Sequence, residues 1–218
     1  MLRLKLLGAA LLVGLSACAS RPDVADPASD APEPRRARVQ APADVPASYA
    51  EALQRWRTPE DVNAWIGDRF EYSLSRAMLL SETQRSRNGS LPIPPAEEFF
   101  AAPQGVCVDL SRFAVETLRR IDADTQPSFL MIEFAPVSIA GNTLRRHWLA
   151  SFRRDGKLWF FADSKRPGHI AGPYESTQDF IADYAAYRGR AIVSFRELAT
   201  HQRQLRTAAT RQQRDARP

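Results

Sequence analysis

Cys107, His147 and Asp163 are the residues of this sequence whose types and order could support nucleophilic catalysis. A cysteine thiolate can attack an acyl carbon, a histidine can take up and return the proton, and a carboxylate can hold the imidazole in the required tautomer. Each residue also has an ordinary interpretation: a small buried hydrophobe, a structural histidine and a turn residue, respectively. The three together favour the catalytic interpretation.

The segment around Cys107 predicts that the thiol lies at the start of a helix. Residues 103–106 break the chain, and the apolar residues that follow repeat at helical spacing. A helix N-terminus stabilises a thiolate through its dipole and its unpaired N–H groups, which can also bind an oxyanion. Gln104 is a candidate for a second oxyanion donor by residue type alone, and we favour the alternative that it belongs to the turn.

His147 and Asp163 fall on two strand-like segments separated by the turn residues Asp155 and Gly156, a pattern that predicts a β-hairpin. His147 lies eight residues before Asp155, and Asp163 lies seven residues after Gly156. Because these offsets are nearly equal, we expect the imidazole and the carboxylate to be close to cross-strand neighbours. The predicted helix would then pack Cys107 over that pair.

Helical patterns precede and include the cysteine segment, and strand patterns follow it. The predicted helices are 49–56, 59–70, a single turn at 96–101, the segment from Cys107, and 176–187; the predicted strands are 128–135, 144–153, 157–163 and 191–195. The segment 75–84 is ambiguous, and 85–90 is predicted to be an exposed loop. Helices followed by antiparallel strands indicate an α+β domain.

The N-terminus has the three parts of a secretory signal. These are basic residues within 1–5, an apolar run at 6–15 that is too short to span a bilayer, and small residues before Cys18. Small residues leading into a cysteine resemble the lipobox of bacterial lipoproteins, which implies removal of residues 1–17 and acylation of Cys18. An ordinary export signal is the alternative. In such lipoproteins Ala19 implies sorting to the outer membrane, facing the periplasm, with the acyl chains as anchor.

Composition divides the remaining chain into three parts. Residues 18–47 are rich in proline and alanine, which predicts an extended tether. Residues 48–198 suffice for one domain with a hydrophobic core, and residues 199–218 are a basic tail, either a frayed helix or a solvated terminus. Removing residues 1–17 lowers the formal charge from +5 to +3, and the tail carries most of that charge. Nucleic acid is therefore not an expected partner.

The cysteine count sharpens the interpretation of Cys107. The chain has two cysteines, so acylation of Cys18 would leave Cys107 with no second thiol for a disulfide in an oxidising compartment. Such a thiol is either inert through burial or kept because it reacts. The sequence has no metal-ligand spacing and no phosphate-binding glycine loop, so we expect no metal and no cofactor.

Four other residues have weaker signals. His169 follows Asp163 closely and could line the cleft, although a surface loop is the interpretation we favour. Trp148 and Trp159 are expected to pack in the core, and His201 is assigned to the tail.

The segments around the cysteine, the histidine and the aspartate resemble those of one known family. Residues 105–114 (GVCVDLSRFA), with Leu118-Arg119-Arg120, resemble the cysteine helix of transglutaminase-like domains, and His147-Trp148 with Gly156, Trp159 and Asp163 is similar to the histidine and aspartate strands of that family. The resemblance covers about residues 59–195. It implies a papain-like or transglutaminase-like core with Cys107 as nucleophile, His147 as base and Asp163 as the residue that orients it.

Within that superfamily, residues 96–100 and 172–174 look like those of the bacterial transglutaminase-like cysteine proteinases, which include calcium-dependent periplasmic proteases that clip adhesins. Val106 and Val108 stand where that group has acidic residues, so the resemblance does not extend to its calcium site. It implies a peptidase or amidase that acts through a thioester on protein or peptide in the cell envelope. Two alternatives stay open: a non-catalytic binding or scaffolding lipoprotein, and an acyltransferase that crosslinks proteins.

Overall fold

The computed structural model describes residues 31–32, 44–89 and 91–202. The predicted signal sequence, Cys18, most of the predicted tether and most of the tail lie outside the described residues. Within the ranges described, none of the helices has the length and apolar character needed to cross a bilayer.

Helices dominate the first half of the described chain, and strands dominate the second. The helices are α1 (Tyr49–Arg55), α2 (Pro59–Arg69), α3 (Leu74–Leu79), α4 (Glu82–Asn88), α5 (Ala96–Ala101), α6 (Cys107–Ile121) and α7 (Thr177–Arg188), with a 3₁₀ turn at Ala123–Thr125. The strands are β1 (Glu71–Tyr72), β2 (Gln104–Gly105), β3 (Ser128–Ile139), β4 (Asn142–Arg154), β5 (Lys157–Phe161), β6 (Ala171–Tyr174) and β7 (Ile192–Leu198). The predicted α+β fold class is confirmed.

The five later strands form one antiparallel sheet in the order β6-β5-β4-β3-β7, and β1 and β2 form a short parallel pair. The β4–β5 hairpin turns at Asp155 and Gly156, whose φ values of 52° and 75° are the left-handed conformations that a two-residue hairpin turn needs. Its ladder ends at the pair Ala150↔Phe161. Among the described residues, no strand therefore pairs with β4 on that side before Ala150.

Helix boundaries follow the capping signals of the sequence. Thr58 caps α2 and exchanges hydrogen bonds with Asp61, and Pro59 occupies the first helical position, where its missing N–H has no cost. Ser176 caps α7 in the same way, and Gly189 ends that helix with a φ of 58°.

Two apolar cores lie on opposite faces of the sheet. The first core joins α6 to the sheet, and the second core joins α7 to it. Neighbouring residues of one strand, such as Ala150 and Leu149, belong to different cores because side chains alternate along a strand. The first core includes Leu110, Phe113, Phe129, Ala150 and Phe152, and the second includes Leu130, Ile132, Leu149, Phe180 and Tyr184.

The prediction of an exposed loop at 85–90 is wrong for most of that segment, because α4 continues to Asn88. This helix has no buried residue, so no apolar periodicity marks it in the sequence. It is stabilised instead by polar contacts. Ser81 caps it, and Glu82 pairs with Arg145 of β4 at 2.7 Å.

The sheet differs from the prediction at its edges. β6 was not predicted, since it contains Gly172 and Pro173, which are poor strand formers. The strand predicted at 157–163 ends earlier, at Phe161, because Ala162 has a φ of 57° and leaves the extended conformation. His201, assigned to the tail, packs its ring 5.9 Å from that of Phe129.

Candidate active site

Cys107 is the first residue of α6, as predicted, and only 7% of it is exposed. It is not part of a disulfide. In the first turn of a helix the backbone N–H groups have no partner within the helix, and the positive end of the dipole lies there. Both properties stabilise a thiolate relative to a thiol.

Gly105 ends β2 in a closely packed position just before the cysteine. A Cβ atom at this position would lie 2.8 Å from Oδ2 of Asp109 and 3.1 Å from the ring of Phe99. The carbonyl oxygen of Gly105 accepts the N–H of Ser73 at 2.8 Å, next to the pairing of β1 with β2. Any larger residue at position 105 would displace these contacts.

A buried ion pair fixes the start of α6. Oδ2 of Asp109 accepts the N–H of Val106 at 2.9 Å and Nε of Arg76 at 2.6 Å, while Oδ1 accepts Nη2 of Arg76 at 2.7 Å. Asp109 is fully buried, whereas a quarter of the Arg76 side chain is exposed. The hydrogen bonds to Asp109 raise the pKa of Arg76 above its usual value. The pair therefore links α3 to the helix that carries Cys107.

His147 lies on β4, is fully buried, and contacts Asp163 through Nε2 and Oδ1 at 3.0 Å. The N–H of Lys165 donates to the same oxygen at 2.9 Å. Burial alone would raise the pKa of Asp163, but the hydrogen bond with His147 and the positive charges of His147 and Arg188 lower it well below its usual value. The carboxylate is therefore ionised at neutral pH and can orient the imidazole.

The contact between these two side chains depends on an irregular backbone. Extending the ladder beyond Ala150↔Phe161 would place Asp163 opposite Trp148, with both side chains on the face turned away from His147. The left-handed φ of Ala162 breaks this alternation. Asp163 consequently faces the histidine from beyond the end of β5.

Helix α7 covers the outer side of the pair. The hydroxyl of Tyr184 donates to Oδ2 of Asp163 at 3.0 Å, and its ring stacks on that of His147 with centroids 5.9 Å apart. Nη1 of Arg188 donates to the same hydroxyl at 3.1 Å. Burial and the charge of Asp163 raise the pKa of Tyr184 well above its usual value, so the hydroxyl keeps its proton.

The structure brings His147 and Asp163 into direct contact, and it puts Cys107 on the helix that packs against the strand of His147. Gln104 is exposed on β2. His169 is exposed and borders a cavity of about 360 Å³ together with Arg166 and Tyr184. As predicted, Trp148 and Trp159 pack against the first core.

Four residues that support the site were not predicted. They are Arg76, Asp109, Tyr184 and Arg188. Asp109 had a usable signal, since an acid at the third helical position commonly accepts the N–H of the cap residue. Tyr184 matched the apolar face of its helix, and nothing in that periodicity shows where its hydroxyl points.

No group of three or more histidine, cysteine, aspartate or glutamate side chains in the described ranges could hold a metal ion.

No family model and no curated protein matches this sequence. Two solved structures of LapG from Legionella pneumophila are similar to part of it. The calcium-bound form aligns over 66% of this chain and 68% of that chain at 18% identity with a TM-score of 0.37. The other structure aligns over 72% and 74%, at 17% identity with a TM-score of 0.34. Likeness at this level carries no inference about function.

Proposed function

We propose that this protein is a thiol hydrolase, a peptidase or amidase, in which Cys107 is the nucleophile, His147 the base and Asp163 the residue that orients the base. The buried hydrogen bond between His147 and Asp163 is the observation that carries the proposal. A carboxylate kept ionised in the interior and directed at one nitrogen of an imidazole is the arrangement that general-base catalysis needs. The position of Cys107 at the start of α6 supports its assignment as the nucleophile.

The proposed reaction has two steps, acylation of Cys107 by the substrate and hydrolysis of the resulting thioester. The sulfur of Cys107 attacks the carbonyl carbon of an amide, and its proton passes through His147 to the leaving amine. The resulting thioester is hydrolysed by water, which regenerates the thiol and releases a carboxylic acid. Because Nε2 of His147 faces Asp163, the proton exchange uses Nδ1. The relay requires the sulfur of Cys107 to lie within hydrogen-bond reach of Nδ1.

The proposal includes a location. Acylation of Cys18 would anchor the protein in the envelope, at the outer membrane and facing the periplasm, with residues 18–47 as a tether. Substrates are then proteins or peptides of the envelope, and nucleic acid is not a partner. Growth with labelled palmitate tests the anchor, because replacing Cys18 by serine should abolish incorporation of the label.

Alkylation of Cys107 by iodoacetamide at about pH 5.5 tests the nucleophile. An ordinary thiol is only about 0.1% ionised there, so an activated thiol gains up to about 10³ in thiolate fraction. Its lower intrinsic reactivity removes about 30-fold of that gain, which leaves an acceleration of up to about 30-fold over the urea-unfolded chain. Peptide mass spectrometry assigns the label to Cys107.

Two variants make the test specific. His147→Gln should abolish the acceleration, whereas His169→Gln, a change to an exposed histidine of the loop after Asp163, should leave it intact. If folded wild-type protein is labelled no faster than unfolded protein, the hydrolase proposal is wrong and a binding or scaffolding role replaces it. Incubation of the labelling-competent protein with a tagged amine distinguishes crosslinking from hydrolysis.

A further inference from the structure

We propose that Tyr184 and Arg188 are positioning residues that act on His147 through Asp163 and set how strongly the imidazole holds its proton. This inference deepens the proposed hydrolase function and rests on it for its catalytic meaning. The observation behind it is a continuous buried chain of hydrogen bonds from Arg188 to Tyr184, from Tyr184 to Asp163, and on to His147.

The geometry fixes the direction of each hydrogen bond. Arg188 can only donate, so the oxygen of Tyr184 accepts from it at 3.1 Å. The hydroxyl proton of Tyr184 is then directed at Oδ2 of Asp163 at 3.0 Å. Oδ1 remains for His147 at 3.0 Å, so the two carboxylate oxygens serve opposite sides of the site.

All four side chains lie in the interior, where such contacts are strong. Tyr184 is 1% exposed, Arg188 3%, Asp163 4% and His147 fully buried. The ring of Tyr184 also packs against that of His147 at an interplanar angle of 17°. One residue of α7 therefore touches both members of the pair, and the arginine one helical turn later holds its hydroxyl.

Several titratable or charged groups surround the pair. They are Tyr184 and Arg188 on α7 and Arg166 and Lys165 in the loop after Asp163. Cys107 begins α6, the helix that packs against β4 from the other core. Arg166 is the weaker cationic neighbour, because its Nε lies 3.9 Å from Oδ2 of Asp163. Tyr184 and Arg188 are the groups joined to the carboxylate by a hydrogen-bond chain through the second oxygen.

These hydrogen bonds from Arg188 and Tyr184 weaken the attraction between Asp163 and the protonated imidazole of His147. A donor to the carboxylate is bound more strongly when the Asp163–His147 pair carries a net negative charge than when the imidazole is protonated and the pair is neutral. Tyr184 and Arg188 therefore favour the neutral imidazole. Without these two residues the imidazole of His147 would bind its proton more tightly. A general base must release the proton again, so tighter binding would hinder its catalytic role.

Titration of the His147 ring by NMR in the full chain carrying Cys107→Ser tests the inference without relying on thiol chemistry. Tyr184→Phe keeps the ring and removes the hydroxyl, and we expect it to raise the proton affinity of His147 by about 3- to 10-fold, an upward pKa shift of about 0.5 to 1. Arg188→Lys should shift the titration in the same direction, because the shorter side chain loses its directed hydrogen bond.

Tyr174→Phe is the matched control. The hydroxyl of Tyr174 donates to Asp183, which lies on α7 like Tyr184 but is not the carboxylate that binds His147. This variant should leave the His147 titration unchanged. An unchanged or lowered pKa of His147 in Tyr184→Phe, or an equal shift in Tyr174→Phe, overturns the inference. Slow alkylation of Cys107 in wild-type protein would contradict the hydrolase proposal but not this inference, since the titration of His147 does not require a reactive thiol. If Tyr184→Phe does not fold, the direction of the His147 pKa shift in Arg188→Lys tests the inference instead.

Discussion

The ion pair between Arg76 and Asp109 lies at the start of the helix that carries Cys107. We predict how much the free energy of unfolding falls when either partner is replaced. Asp109 is fully buried and accepts one backbone N–H, that of Val106, besides the two hydrogen bonds from Arg76. Arg76→Gln would leave this carboxylate buried with most of its charge uncompensated. Asp109→Asn would instead leave a cation that is a quarter exposed and still donates to the carbonyl oxygen of Pro92.

The two substitutions should therefore have unequal costs. Removing one partner of a buried pair costs about 3–5 kcal/mol, and partial exposure of Arg76 favours the lower end of that range. Asn at position 109 keeps an oxygen for the N–H of Val106, so we expect a loss of about 1–2 kcal/mol. The double variant contains no buried charge. It should be more stable than Arg76→Gln alone, by about 1–2 kcal/mol.

Urea denaturation of the four proteins gives these free energies of unfolding by linear extrapolation. Arg154→Gln is a suitable control, because it breaks an ion pair with Glu60 whose side chains are 36% and 51% exposed, and such surface pairs contribute about 1 kcal/mol or less. The reasoning is refuted if Arg76→Gln costs no more than the control, or if the costs of the two single substitutions add in the double variant.

Further substitutions test other parts of the structure. Gly105→Ala should cost about 1–3 kcal/mol in urea denaturation and slow the alkylation of Cys107, since its methyl group would meet Asp109. The lowered pKa of Asp163 contributes stability that is present above about pH 4 and lost as pH falls towards the folded-state pKa, so Asp163→Asn should flatten the fall of the urea midpoint between about pH 5 and pH 3. Added calcium should leave the melting temperature unchanged, because Arg76 already pairs with the carboxylate nearest in sequence to Cys107. Ala162→Gly should be at least as stable as Ala162→Val, because a β-branched residue is strained at a φ of 57°; the reverse order would contradict the left-handed turn.

Features coded by a few adjacent residues could be predicted from the sequence. The start of α6 at Cys107 follows from the break at 103–106 and the helical spacing after it. The start of α2 follows from Thr58 and Pro59, and the β4–β5 hairpin from Asp155 and Gly156. In each case the local signal and the final structure agree because the residues that form the feature also contact one another.

Supporting contacts between distant segments could not be predicted in this way. Arg76 and Asp109 are 33 residues apart, and Tyr184 and Asp163 are 21 apart. The residue types allow many such pairs, and only the position of α3 beside the start of α6 and the packing of α7 on the sheet select these two. Periodicity assigns Tyr184 to the apolar side of its helix correctly, but a phenol can be both a core residue and a donor.

The pairing of His147 with Asp163 shows how a prediction of proximity can be correct while the geometry behind it is incomplete. Offsets of eight and seven residues from the turn have opposite parity, so in a regular hairpin the two side chains would lie on opposite faces of the sheet. Ala162 resolves this conflict because one left-handed residue after Phe161 turns the carboxylate towards the histidine and ends the strand. The pairing of β4 with β5 consequently ends at Ala150↔Phe161, before it reaches His147. A single backbone irregularity therefore directs the carboxylate at the imidazole, which a regular strand at 157–163 could not do.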